Sequence, residues 1–258
     1  MLQKKLSMNN ISMSPVIFNN SNDLSLDLKG DLKTNLIISD FLGKEIKLNL
    51  KDNSVVSAVL FCKSESEIEL NAILNENANL NLDIILMNQD TKFNLNASLA
   101  KEFANLNVNV LSMAKNATKE INFYVEHVAK ETKSVVNNIG ISFENGKNHF
   151  NVNGIIKANM TNSDVRQLTR GLILGSNGEC LAKPILLIDH HDVKAYHGAT
   201  IGKVSDDDLF YLMSRGLTKD EAFMLIINGL LEPFVKDIQD EKIKAEIMNT
   251  YQSYFTGE

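Results

Sequence analysis

Residues 75–88 read NENANLNLDIILMN, and residues 103–111 read FANLNVNVL. In both stretches an aliphatic residue alternates with a polar one, most often Asn. Successive side chains of an extended chain point to opposite faces, so a period of two marks a strand with one buried face. The same alternation aligns Leu24, Leu26 and Leu28; Ile46, Leu48 and Leu50; Leu80, Leu82 and Ile84; and Phe93 with Leu95. It continues through Leu106, Val108 and Val110; Ile121, Phe123 and Val125; and Ile139, Ile141 and Phe143. No helix-period segment of useful length interrupts residues 22–200, which excludes βαβ crossovers and a doubly wound sheet.

Two all-β architectures fit this pattern: an antiparallel sandwich or barrel, and a β-helix of stacked coils. A sandwich needs several hairpins, and the best Asn-Gly turn is ENGK at 144–147. Short strands between polar corners, with Asn able to stack on Asn in successive coils, favour the β-helix. An AT-rich coding sequence also enriches Asn, so periodicity taken alone leaves both open.

The character changes at Ser205. SDDDLFYLMSRG offers Ser205 as N-cap, acids in the first turn, and Gly216 as the stop. TKDEAFMLIINGLLEPF offers a capping box from Thr218 and Glu221, with Ala222, Leu225 and Ile226 as an apolar face. A third helix is expected after Pro233, carrying Val235, Ile238, Ile243, Ile247 and Tyr251. Three short helices cannot bury these faces alone, so they must pack on the β domain or on a partner. The chain divides into an extension (1–21), a β-helix core (22–204) and a C-terminal helical domain (205–258).

With 32 acidic and 26 basic residues in 258, the formal charge is −6. That argues against a nucleic-acid partner, whose affinity rests on Lys and Arg at phosphates. The first twenty residues hold no apolar run of signal-peptide length, and no stretch approaches the ~20 apolar residues of a membrane span. Cys62 and Cys180 are far apart and form no CxxC pair, which suits reduced thiols in a cytosol. The expectation is a soluble, cytoplasmic protein without a membrane partner. No GxxxxGK[ST], GxSxG or HExxH occurs, so nucleotide hydrolysis and the common hydrolase chemistries lack their motifs.

Few residues remain for chemistry. His190 and His191 are sequence neighbours, which on a strand face opposite sides and cannot chelate together, so a solvated corner is expected. His127 and His149 have no ligand-spaced company, and Cys62 reads as core. Cys180 is either a functional thiol or a buried small hydrophobe. His197 sits where the last strand pattern gives way to the Ser205 cap. It could pack or hydrogen-bond in that turn, or serve as a neutral imidazole ligand.

The run VKAYHGATIGKVSDDDLFYLMSRGLTKDEAFMLIINGLL (193–231) resembles the C-terminal signature of the SufD branch of the SufB/SufD family, scaffolds of the SUF iron–sulfur cluster assembly system. The matching residues include Val193, Lys194, the run His197 to Gly202, Phe210, Tyr211, Leu212, Ser214, Arg215, Gly216, Glu221 and Ala222. QLTRGLILGSNGECLAKPILLID (167–189) resembles the preceding family segment. SufB proteins read His-Glu-Ala where this chain has His197 and Gly198, which favours the SufD side.

The resemblance implies a mainly β fold, a right-handed parallel β-helix with a small helical domain. It implies a non-enzymatic scaffold in a complex with a SufB-type subunit and the SufC ATPase. SufC would bind the C-terminal helices, through Phe210, Tyr211, Arg215 and Glu221. Its ATP-driven movement would reach the SufB–SufD interface, where an iron–sulfur cluster is built transiently with His197 as ligand or supporting donor. Two departures matter. Many SufD proteins carry Cys two residues before this histidine, where this chain has Ala195. Cys180 lies four residues before Pro184, whereas SufB places its cysteine about six before the proline. The alternatives are a SufB-like homodimeric scaffold and a β-helix enzyme such as an acyltransferase.

Overall fold

The computed structural model describes residues 4–9, 16–19, 23–39, 41, 43–87, 89–236, 238 and 240–255. Its strands are β1 (Lys4–Asn9), β2 (Val16–Asn19), β3 (Leu24–Lys29), β4 (Asp31–Ser39), β5 (Glu45–Leu50), β6 (Val55–Cys62), β7 (Ser66–Leu74) and β8 (Asn79–Leu86). They continue with β9 (Thr91–Leu99), β10 (Asn105–Ala114), β11 (Thr118–His127), β12 (Lys133–Ser142), β13 (Lys147–Ile156), β14 (Asp164–Ile173), β15 (Glu179–Ile188) and β16 (Lys194–Lys203). Three helices follow: α1 (Asp206–Ser214), α2 (Lys219–Val235) and α3 (Glu241–Gln252). No helix among the described residues is long and apolar enough to cross a membrane.

Odd-numbered strands form one eight-stranded sheet and even-numbered strands the other, in chain order. All pairings are parallel, so each coil places one strand in each sheet: the fold is a β-helix. The inward face of each strand carries the alternating aliphatics. Leu24, Ile46, Leu70, Leu95, Phe123 and Val152 stack in register as one column of this core. The coils widen along the chain. Lys4 lies beside Leu24, a repeat of 20 residues; Ile46 beside Leu70, 24; and Lys147 beside Glu179, 32.

Asn holds the stack together in two ways. On the strands, Asn122 Nδ2 donates to Asn94 Oδ1 at 3.0 Å, and Asn151 Nδ2 donates to Asn122 Oδ1 at 2.8 Å. At the corners, seven of the nine non-glycine residues with left-handed φ among the described residues are Asn, the side chain that best tolerates that region. ENGK is one such corner, joining β12 to β13 in opposite sheets rather than closing a hairpin. Asn145 Nδ2 donates to Asn116 Oδ1 there, at 2.9 Å. Phe103, at φ 61 and 53% exposed, occupies such a corner without an amide to justify it. Phe103→Asn should therefore stabilise the fold by about 1 kcal/mol, read as a higher urea midpoint at unchanged slope. An unchanged or lower midpoint would show that Phe103 contributes packing that offsets its backbone cost.

The sequence reading starts the solenoid at residue 22, yet β1 and β2 extend it into residues 1–21, pairing with β3 and β4. At six and four residues they are too short for alternation to stand out. The caps appear where expected. Ser205 Oγ accepts from Asp208 N, Gly216 has φ +96, and Thr218 and Glu221 form the capping box. Helix α2, however, runs through Pro233 to Val235 instead of ending before it. Pro233 falls in the last turn, so the Gly229 carbonyl loses its intrahelical donor and the helix ends two residues later, at Val235.

The expected α2 face is also rotated: Leu225 is 52% exposed, while Ala222, Ile227, Leu231, Phe234 and Val235 are buried. Of these, Ile227, Leu231, Phe234 and Val235 pack with Ile243, Ile247 and Tyr251 of α3 against the outer face of the even sheet, on Val59, Phe61, Ile85, Met87, Leu111, Met113 and Ile141. The α3 segment is pinned by Tyr254, whose hydroxyl donates to the Met113 carbonyl at 2.8 Å. Helix α1 buries nothing.

Candidate functional site

The last coil is open. Strands β15 and β16 are the terminal strands of the two sheets, and neither has a further neighbour among the described residues. In β15 only Cys180 is buried, and in β16 no residue is. Sheet edges of this kind offer unpaired backbone donors and acceptors to another chain.

The inward direction is fixed by contacts across the lumen. A Cβ built on Gly154 of the odd sheet would meet Val165 and Gln167 of the even sheet; one on Gly171 would meet Cys180 Sγ and Ile201. Parallel partners in register face the same way, and β16 pairs Ala195 with Val165, His197 with Gln167 and Ile201 with Gly171. His197 therefore faces the mouth of the lumen, above Gln167. Its ring is exposed and makes no hydrogen bond or ion pair among the described residues. Gly198 takes the opposite face, where a Cβ would stand 3.1 Å from the Tyr196 hydroxyl.

The structure does not bring Cys180 to His197. Cys180 touches the Gly171–Ile201 level, and His197 is four strand residues from Ile201, about 13 Å at ~3.3 Å per residue. Burial pushes the Cys180 thiol up to about 11, so it stays protonated at neutral pH. Cys62 lies in the inner core. His191 is exposed and His190 half-buried in the loop between β15 and β16. His149 Nε2 pairs with Glu179 Oε1 at 2.6 Å. Among the described residues no three His, Cys, Asp or Glu side chains converge as a metal site.

Of the four residues expected to meet a partner, Phe210 and Tyr211 lie on α1, Arg215 is its C-cap, and Glu221 lies in the first turn of α2. Phe210 is 75% exposed, and Tyr211 carries the Arg215 guanidinium 5.4 Å above its ring. Glu221 is already engaged: Thr218 N and Oγ1 donate to it at 2.7 and 2.8 Å, which lowers its pKa. A groove of about 470 Å³ joins α1 to the last coils, lined by Arg170, Lys203, Asp208, Tyr211 and Leu225 among others.

Sequence reasoning misses the polar lining under His197. Asn138, Gln167 and Thr169 are buried in the lumen, and Asn138 Nδ2 donates to Thr169 Oγ1 at 3.1 Å. The signal was present in DVRQLTRGLI (164–173), where Gln167 and Thr169 share parity with Val165 and Gly171.

Residues 40–230 match the family model described as SUF system FeS cluster assembly, SufBD core domain. The iron-sulfur cluster assembly protein SufD of Bacillus subtilis is 33% identical over 135 residues, covering 52% of this chain and 31% of that protein. SufD of Escherichia coli is 28% identical over 158 residues, 61% of this chain and 37% of that protein. SufB of Bacillus subtilis is 34% identical over 119 residues, 45% of this chain and 25% of that protein. The chain thus spans about a third of the length of the SufD relatives it matches.

Proposed function

The chain belongs to the SufBD core-domain family of the SUF FeS cluster assembly system, and from that membership we propose that it is a SufD-like, non-catalytic scaffold subunit. It works in a complex with a SufB-type subunit and the SufC ATPase. The cluster is the cargo of this complex, built where the open coil meets the SufB-type partner. The observation that carries the reading is the mouth itself: an uncapped pair of edge strands with one imidazole facing the partner. A neutral imidazole is a competent iron ligand, and a strand fixes it better than a loop would. Phe210, Tyr211 and Arg215 then supply the exposed aromatic and cationic surface for SufC, with Glu221 shaping α2 as its cap. Cys180 contributes packing rather than sulfur ligation. A SufB-like role is less well supported, because this thiol is buried and protonated and Gly198 supplies no carboxylate.

The test is His197→Ala in the copurified complex. Iron and sulfide per complex should fall about 10-fold, the scale of losing a metal-site group. Melting temperature should change little, because an exposed ring contributes at most one hydrogen bond, worth about 1 kcal/mol. Normal cluster loading with a lowered melting temperature would make His197 structural and overturn the assignment.

A further inference from the structure

We propose that Gln167 is a positioning residue for His197: its side-chain oxygen holds one ring N–H, so that the other ring nitrogen faces out of the mouth. This rests on the reading of His197 as a cluster-site residue. Gln167 is 1% exposed on β14 and lies in register beneath His197 on β16. The orientation of its amide is set by Nε2, which donates across the lumen to the Ile185 carbonyl at 3.3 Å. That leaves Oε1 buried without a donor among the described residues. Buried acceptors without partners are rare in folded proteins, so each one asks what completes it.

The stack narrows the answer. Below Gln167 in register is Val136, whose side chain has no donor. Above it is His197, whose ring is exposed and without a partner among the described residues. Parallel neighbours in register are ~4.8 Å apart, so rotation about the histidine side-chain torsions brings a ring N–H to Oε1. A neutral imidazole has one N–H and one lone pair. Committing the N–H to Gln167 fixes the tautomer and turns the lone pair toward the partner, the arrangement a ligand needs.

The experiment uses the full chain labelled with ¹⁵N-histidine at about pH 8, where an ordinary imidazole is neutral. Ring-nitrogen shifts of His197, assigned by their loss in His197→Ala, report its tautomer. One tautomer should dominate by about tenfold, collapse toward a mixture in Gln167→Leu, and return in Gln167→Glu, whose carboxylate accepts the same bond. A wild-type ring already in free tautomer exchange overturns the proposal. So does a dominant tautomer that Gln167→Leu leaves unchanged. These shifts are read on the chain alone, so a failed cluster assay of His197→Ala in the complex is a separate result and counts against the functional reading instead.

Discussion

Ile247→Asp should strip α3 from the solenoid and cost at least about 4 kcal/mol. Ile247 is fully buried among residues of α2, α3 and the outer face of the even sheet. A carboxylate held there would pay several kcal/mol in desolvation. Undocking is the cheaper escape, so the loss is capped by the docking free energy of the helix. The inner core is a separate cluster that shares no buried residue with this one. The expected signature is a loss of helical circular dichroism and faster proteolysis beyond residue 204, with a cooperative urea transition of the strands preserved. Unchanged helicity would mean that the outer cluster repacks around the charge. A single transition lost as a whole would mean that the helices are integral to the solenoid.

Acidification from about pH 6.5 to 4 should remove about 3 kcal/mol of stability through His127 alone. The ring is fully buried, with Nδ1 2.8 Å from Thr132 Oγ1 and Nε2 2.7 Å from Ser134 Oγ. Burial lowers its pKa from 6.5 to about 4. Between these values the unfolded chain binds the proton and the folded chain does not, so stability falls as pH falls through that window. Above it both states are neutral, and below it both are charged. Urea titrations of the wild type and His127→Gln at pH 4.5 and 7 check this: the variant should lose most of the pH dependence. Equal pH dependence in the two proteins would place the acid lability elsewhere.

Period-two alternation was enough to read the inner core, because Leu24, Leu26 and Leu28 and their successors meet only other aliphatics in the lumen. It misled where both faces are buried. Ile139, Ile141 and Phe143 read as one more inward face, yet Ile141 and Phe143 belong to the outer cluster under the helices. Their neighbours Gly140 and Ser142 take the lumen side, and no local pattern reveals a cover supplied from a hundred residues away. The two helix caps were legible, but His197, expected where the last strand gives way to the turn, lies inside β16, six residues before its end. Gln167 was not legible, because a reader of alternation assigns polar side chains to solvent, and here an amide points inward. Leu225 was misassigned for a related reason: several apolar positions of α2 could have faced the sheet, and tertiary packing selected Ile227 and Leu231.

The widening of the coils makes the two ends of the described solenoid unequal as templates for an added strand. A solenoid with equal ends could add copies head to tail, each edge templating the next, and grow into a fibre. Here the narrow end offers a six-residue strand, β1, and the wide end a ten-residue strand, β15. Joining them would leave four residues, about 13 Å of strand backbone, without partners. The unequal lengths of β1 and β15 therefore work against head-to-tail stacking of the described coils, using the geometry of the backbone rather than guarding charges on the edge.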